Sequence, residues 1–482
     1  MSKKTLSNNA LYSVIYKGLN VLFPLITMAY VSRVLMPIGV GKVASAQNIV
    51  AYFLLIASLG LPTYGVKIIS SYSDDIKKSS KAFSELFIIN AISSIICSFI
   101  YIMMLLSVDY FHTRMAISLV VGIQLFANII NIDWLYQGFE EYRYITIRSA
   151  IVKVLSLFAV FIFVKEQGDY VIYALITTLG LVSNFVLNIF KLKNFVHVSF
   201  EKINIKQHLR PVLVLLASTI AIEIYVLGGT TILNLLRGDE DVAFYTYASK
   251  AVSVVRTLIV AVCAVFLPRL NYYYSHHKYD EFNSLASNGI KIILNLCIPT
   301  ALVLCILSSE IVQILFGLDY LSAIPSMRIL CVSLVTIALS NFTGYQILVS
   351  IGKQKIVLYS TIIGAIINIA MNFFLIPTYG HFGAAIAAVV TEAVIAMYQF
   401  YYVKRNVPLK LCISDIIAIL FPSLMMAVLI IMIKVVFDNI YLNILLGCFC
   451  GGLIYFIIAY KMKNDFLMMV LKRIPLLSRF FN

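Results

Sequence analysis

Apolar runs of about twenty residues recur along the whole of this chain, and that repetition limits its fold more than any motif does. They predict helices at about 10–35, 43–62, 84–106, 115–138, 144–164, 171–190, 211–235, 243–267, 289–308, 327–349, 356–376, 383–403, 413–436 and 440–460. The runs lack the alternation of a β-barrel strand and are too long for one. With 61% hydrophobic and 12% charged residues, the 482-residue chain is too apolar for a soluble enzyme or a disordered segment. Lipid must be part of its solvent. The expected fold is an all-α polytopic membrane protein of about fourteen transmembrane helices, with no room for a sizeable soluble domain.

The net charge of +15 has its explanation in the loops. With the N-terminus placed in the cytoplasm, 26 of the 37 Lys and Arg fall on the cytoplasmic side, seven on the other, and four within spans. The asymmetry alternates loop by loop, as the positive-inside rule requires. It predicts both termini in the cytoplasm and removes the need for nucleic acid as a partner. The polar start, MSKKTLSNNA, reads as a retained cytoplasmic tail. Cys448 and Cys450 form a lone CxC without a second pair, so helix packing is expected and no metal site.

Charges inside spans are costly and face cavities or partners. Lys17, Lys153, Lys250 and Arg256 are the cations; Glu223 and Glu392 are the anions near mid-span. Lys250 and Arg256, six residues apart, diverge by about 120° on one helix and could edge one wide cavity. Such an interior suits an anionic substrate, phosphate above all. Two plainer readings stay open: Glu223 and Arg256 as a structural ion pair, and Lys250 as a snorkelling side chain. Pro24 and the pair Gly228-Gly229 mark places where helices could hinge or merely kink. A faint repeat links Val40–Gln47 with Val242–Ser249, 202 residues on. With the long loop at about 191–210, it suggests two parallel sets of six helices.

No Walker loop, HExxH or GxSxG is present, so catalytic residues and cofactors are not expected. The acidic runs Ser73–Asp75 and Gly238–Asp241 read as solvated loop charge, and the six His as loop and tail residues.

Several stretches resemble a known family. They are Arg33–Pro37 through Gly41 and Gln47, Leu59–Lys67, and, most specific, Asp133-Trp134-Leu135-Tyr136-Gln137-Gly138-Phe139-Glu140 with Tyr142, Arg143 and Arg148. Glu310–Gly317, Asn368–Pro377 and Tyr379–Glu392 follow. In order and spacing they resemble the Wzx-like O-antigen and capsule repeat-unit flippases. These form the polysaccharide transport family of the multidrug, oligosaccharidyl-lipid and polysaccharide exporter superfamily. Arg33, Lys67, Asp133, Trp134, Gln137 and Glu140 are the motif residues. The resemblance implies an N-terminal lobe at 1–195 and a C-terminal lobe at 196–405. Two extra helices and a basic cytoplasmic tail would fill 406–482. It implies a flippase moving undecaprenyl-pyrophosphate-linked oligosaccharide to the outer leaflet of a bacterial cytoplasmic membrane by alternating access. By position Lys17, Lys153, Lys250 and Arg256 would bind substrate. Apart from the resemblance, Glu223 and Glu392 are candidates for coupling an ion, H+ or Na+, or for structural pairs. Membrane lipids and a polysaccharide polymerase are the further partners implied. The alternatives are an ion-coupled drug exporter and a membrane polymerase. Against the exporter, the first span carries Lys17 and no acidic residue; against the polymerase, no large outer loop exists.

Overall fold

The computed structural model describes residues 3–198, 203–462 and 464. Among them every regular element is helical. Contacts divide the chain into two compact units, Met1–Ala243 and Phe244–Asn482. That division falls within a helix and not in the 191–210 loop.

The first unit runs α1 (Lys3–Ser58), α2 (Leu61–Ser71), α3 (Ile76–Ser107), α4 (Asp109–His112), α5 (Met115–Ala127), α6 (Asp133–Gly138), α7 (Tyr142–Phe163), α8 (Tyr170–Leu192), α9 (Lys206–Arg237) and the start of α10 (Asp239–Ala264). The second holds the rest of α10, then α11 (Leu267–Ser275), α12 (Tyr279–Ile306), α13 (Ser308–Phe316), α14 (Ala323–Ser340), α15 (Gln354–Tyr379), α16 (His381–Asn406), α17 (Ile413–Val436) and α18 (Ile440–Lys461). Among the described residues eleven helices are long and apolar enough to cross a membrane, or twelve when the bent α9 counts as one span. The expected fourteen is not reached by that criterion. That criterion counts Gly18–Ser71 once, although α1 breaks at Met36 between the first two expected spans, and the fourth expected span is interrupted.

Breaks fall where the backbone demands them. Within α1 the helix is interrupted at Met36 (φ 56°, ψ 173°), directly before Pro37, and not at Pro24. A proline ring disfavours helical geometry in the residue before it. Gly238 (φ 89°, ψ −170°) separates α9 from α10, again with a positive φ and an extended ψ, at the same offset as the Val40 and Val242 repeat. The α9 bend, 51°, lies between Ala217 and Ile222 rather than at Gly228-Gly229.

The fourth expected span is not continuous: after α5 a short 3-10 turn, Asn128–Ile130, and an extended residue lead into α6. Asn90 makes this tolerable by donating to the carbonyls of Asn128 (2.6 Å) and Ile129 (3.3 Å). Freed backbone groups inside a membrane need such internal partners. In the second unit the π-helix Asn341–Leu348 lies beside buried Gln399, which accepts from Thr343 (3.1 Å) and donates to Ser360 (2.9 Å).

The cores are apolar and aromatic. Leu61, Ile69, Phe83, Leu86, Trp134, Leu135 and Tyr136 form one cluster of the first unit. In the second, Leu307, Met426 and Ile430 pack α17 onto the junction of α12 and α13. Large apolar side chains such as Phe158, Phe190, Phe374, Phe421 and Val435 are exposed, as a lipid-facing surface allows.

Lys434 ties α17 to α13. Its Nζ lies 3.0 Å from Glu310 Oε2, 2.9 Å from Ser309 Oγ and 2.8 Å from the Ile306 carbonyl. Burial alone would push the Glu310 carboxyl up, but the hydrogen bonds from Ser309 and Lys434 hold it below its ordinary value of 4.5. A depressed carboxylate stabilises the fold above its unfolded pKa and loses that contribution as pH falls through the folded one. The melting temperature of the wild type should therefore fall more steeply below about pH 5 than that of Glu310→Gln. Parallel melting curves over that range would refute the coupling.

Candidate functional site

The interrupted fourth span sets the site. Because the chain breaks before it, Asp133 opens α6 with its carboxylate facing the starts and ends of neighbouring helices. Arg148 of α7 donates from Nη2 to Asp133 Oδ1 (3.1 Å), and Asn188 of α8 donates to the same oxygen (2.6 Å). Arg148 Nη1 also donates to Asn188 Oδ1, closing a triangle across three helices. Arg148 and Asn188 are buried; the Asp133 side chain is 24% exposed. Arg148 Nε has no hydrogen-bond partner among the described residues.

The next residues of the motif point elsewhere. Trp134 is buried beside the Phe83 ring, 5.8 Å between centroids, and its indole covers Gly65. A Cβ on Gly65 would lie 2.5 Å from the indole Cε3. Tyr136 donates to the Asn188 carbonyl. Gln137 is half-buried, and its carbonyl accepts from the Glu140 amide (3.1 Å). Glu140 takes a positive φ of 59°, making the turn from α6 into α7. That turn presents Glu141, whose Oε2 lies 3.3 Å from Lys191 Nζ on α8.

The other expected site residues are scattered. The Lys17 side chain lies outside the described residues, although its backbone belongs to α1. Lys153 reaches from α7 to that stretch of α1, 2.5 Å from Asn20 Oδ1 and 3.2 Å from the Leu19 carbonyl. Lys250 and Arg256 are exposed on the second unit's part of α10, and their side chains have no hydrogen-bond or ion-pair partner among the described residues. Glu223 is half-buried on α9 of the first unit. Glu392 on α16 accepts from Ser340 Oγ at 3.5 Å. Arg33 is exposed and bonds the Ala29 carbonyl of its own helix; Lys67 is exposed on α2. The basic stretch after Lys461 lies outside the described residues, apart from Asn464.

Two further polar networks lie at opposite ends of α9. At its start, buried Glu85 accepts from the Asn204 amide (2.8 Å) and Gln207 (2.9 Å), and lies 2.9 Å from His208 Nε2. His208 Nδ1 lies 2.9 Å from the Tyr64 hydroxyl. Past its end, Asp239 Oδ1 receives Arg114 (2.7 Å), Asn234 (2.8 Å) and Ser45 (3.0 Å). The acidic run at 238–241 is therefore not wholly solvated: the Asp239 side chain is 8% exposed and held by α1, by α9 and by the turn before α5. His208 and His381 are likewise buried, not loop residues. The only sequence signal for these networks was a polar residue beside an apolar run.

Polar networks clamp the ends of membrane-length helices, and no group of His, Cys, Asp or Glu among the described residues could hold a metal. This is a multi-pass helical membrane protein whose buried polar residues clamp helix ends to one another. The chain belongs to the polysaccharide biosynthesis protein family, whose model matches residues 6–273. A second model, MatE, matches 216–374. A putative O-antigen transporter of Shigella dysenteriae is 25% identical over 83% of this chain and 100% of its own length. The capsular polysaccharide biosynthesis protein CapF of Staphylococcus aureus is 22% identical, covering 82% of this chain and 98% of its own length. Among solved structures, the lipid II flippase MurJ in an inward closed conformation aligns with a TM-score of 0.77, at 16% identity, over 95% of this chain and 99% of that one. An inward-facing multidrug transporter of the MATE family aligns with 0.65, also at 16% identity, over 80% and 94%. These likenesses establish the fold.

Proposed function

We propose that the chain is a flippase for undecaprenyl-pyrophosphate-linked oligosaccharide repeat units, carrying them from the inner to the outer leaflet of a bacterial cytoplasmic membrane for surface polysaccharide synthesis. It is a transporter and not an enzyme. The observation that carries the reading is the family match over residues 6–273, joined by O-antigen transporter relatives that align along their full length. The chemistry agrees. Lys153 bonds Leu19 and Asn20 of α1, and Lys250 and Arg256 have no hydrogen-bond or ion-pair partner among the described residues; cations of this kind suit a pyrophosphate. Lys17, Lys153, Lys250 and Arg256 are the proposed substrate residues. Glu223 and Glu392 serve as ion-coupling sites for H+ or Na+, or as structural groups. Access alternates between the leaflets, and the lipid tail stays in the bilayer. Both termini face the cytoplasm, on the strength of the Lys and Arg asymmetry. A polysaccharide polymerase would act next on the delivered unit.

Cells lacking this chain should accumulate complete lipid-linked repeat units that an impermeant sugar-oxidising reagent does not reach. Units destroyed by the reagent would already be outside, as after loss of a polymerase. No accumulation, together with drug resistance on overexpression, would identify an exporter. In the same cells Arg256→Ala should fail to restore transport at normal membrane abundance. Full activity would remove Arg256 from the site.

A further inference from the structure

A cleft of about 560 Å³ lies on the first unit between α7 and α8, and none of the transport steps above uses it. Its polar end is cationic. Arg143, Arg148 and Lys191 line it. Arg143 is exposed and has no partner among the described residues. Lys191 is held loosely: Glu141 is 3.3 Å away with both side chains about a third exposed, a pair that contributes little by itself. Arg148 has Asp133 and Asn188 on its Nη atoms and an unpartnered, buried Nε. Counting Asp133 and Glu141 against the three cations, one positive charge remains.

The Tyr144 ring organises this end. Its hydroxyl donates to the Leu187 carbonyl (2.8 Å), which fixes the ring between the two helices. Lys191 Nζ sits 4.4 Å from the ring centroid and Arg148 Cζ 5.6 Å. Both cations thus lie over the same ring, each keeping donors to spare.

The rest of the cleft is apolar. Ile147, Ile151 and Leu187 line it and are exposed, so they meet acyl chains and not protein. Basic residues at the end of two spans, above an apolar wall, match a phosphate headgroup with its chains running down the helices. The lining offers no Ser, Thr, Asn or Gln to read sugar hydroxyls. That separates it from a site for the oligosaccharide head of the substrate.

We propose that this cleft is a binding site for an anionic diacyl phospholipid of phosphatidylglycerol type, with Arg143 and Lys191 holding its phosphate and Ile147, Ile151 and Leu187 its chains. The lipid staples α7 to α8 beside the Asp133–Arg148–Asn188 triangle. The proposal stands apart from the transport reading, since it concerns lipid retention and not cargo.

The test uses the purified full-length protein in detergent, titrated with phosphatidylglycerol, phosphatidylcholine or inorganic phosphate. Thermal melting and lipid retention after washing are the readouts. Phosphatidylglycerol should raise the melting temperature and be retained roughly tenfold better than phosphatidylcholine, a preference of about 1.4 kcal/mol. Inorganic phosphate should do neither. Arg143→Gln/Lys191→Gln should lose the preference while melting like the wild type in the absence of lipid. If the double variant folds poorly, Arg143→Gln serves alone, because that exposed side chain has no hydrogen bond or ion pair to lose among the described residues. Equal retention of the two lipids, an undiminished preference in the variant, or an equal response to inorganic phosphate would each overturn the proposal. Displacement of phosphatidylglycerol by equimolar undecaprenyl phosphate would overturn it too, by making the cleft a substrate site.

Discussion

Arg148→Ala should largely remove the protein from the membrane fraction and sharply lower the melting temperature of what remains. The side chain is buried, and its loss strands Asp133 and Asn188 with only each other. Breaking a buried ion pair by deleting one partner costs about 3–5 kcal/mol, because a charge stays behind unpaired. Both side chains here are less than a quarter exposed or close to it, so little of that is lost to solvent screening. Arg148→Lys should rescue poorly, since one ammonium cannot span Asp133 and Asn188 as the guanidinium fork does. Adding Asp133→Asn to Arg148→Met should recover part of the loss, because neither residue is then charged. Membrane abundance and a melting curve of the solubilised protein give the answer. A wild-type melting temperature for Arg148→Ala would show that the triangle holds nothing together.

The second large effect is expected from one methyl group. A Cβ on Gly41 would lie 1.8 Å from the Asp239 carbonyl oxygen and 2.4 Å from its carbonyl carbon. Both are backbone atoms, so no rotamer relieves the clash. In Gly41→Ala, α1 has to withdraw from the start of α10, pulling Ser45 from the Asp239 carboxylate that also holds Arg114 and Asn234. Overpacking of this kind costs about 1–3 kcal/mol, and the weakened polar contacts add to it. Gly39→Ala is the control: its Cβ would meet the Leu35 Cβ at 3.1 Å and the Gln167 carbonyl at 3.4 Å, which small shifts relieve. Gly41→Ala should therefore melt well below Gly39→Ala, and transport should fall with it. Equal melting temperatures would mean that the helices separate freely here.

Hydropathy made the helical membrane architecture legible, because a span is encoded in consecutive residues. The ends of α3, α7, α8, α15, α16, α17 and α18 fall within several residues of the sequence-based positions, with α3 starting earlier. The Asp133–Glu140 stretch also stood out as a motif. What it does was not legible. Asp133 bonds residues 15 and 55 positions away, while its neighbour Trp134 serves only packing. Asn188 is a single polar letter in an apolar run and Glu85 sits at the polar start of one, and nothing local distinguishes a buried hydrogen-bonding residue from a lipid-facing one.

Asp239 shows the same limit from the other side. Its neighbours Glu240 and Asp241 and the preceding Gly238 make it read as loop charge, yet Arg114, Asn234 and Ser45 enclose it. Pro24 read as a place where the first helix could hinge or kink, whereas Met36 before Pro37 takes the non-helical dihedrals. A proline at 24 can be absorbed where neighbouring helices satisfy the freed carbonyl. The sequence alone determined the solvent of this protein and its helical spans, since burial in lipid is governed by composition over about twenty residues. Only the tertiary structure decided which charges pair and which helices break, because those outcomes depend on partners brought together from distant parts of the chain, and an unpaired polar group is costly only once its surroundings are dry.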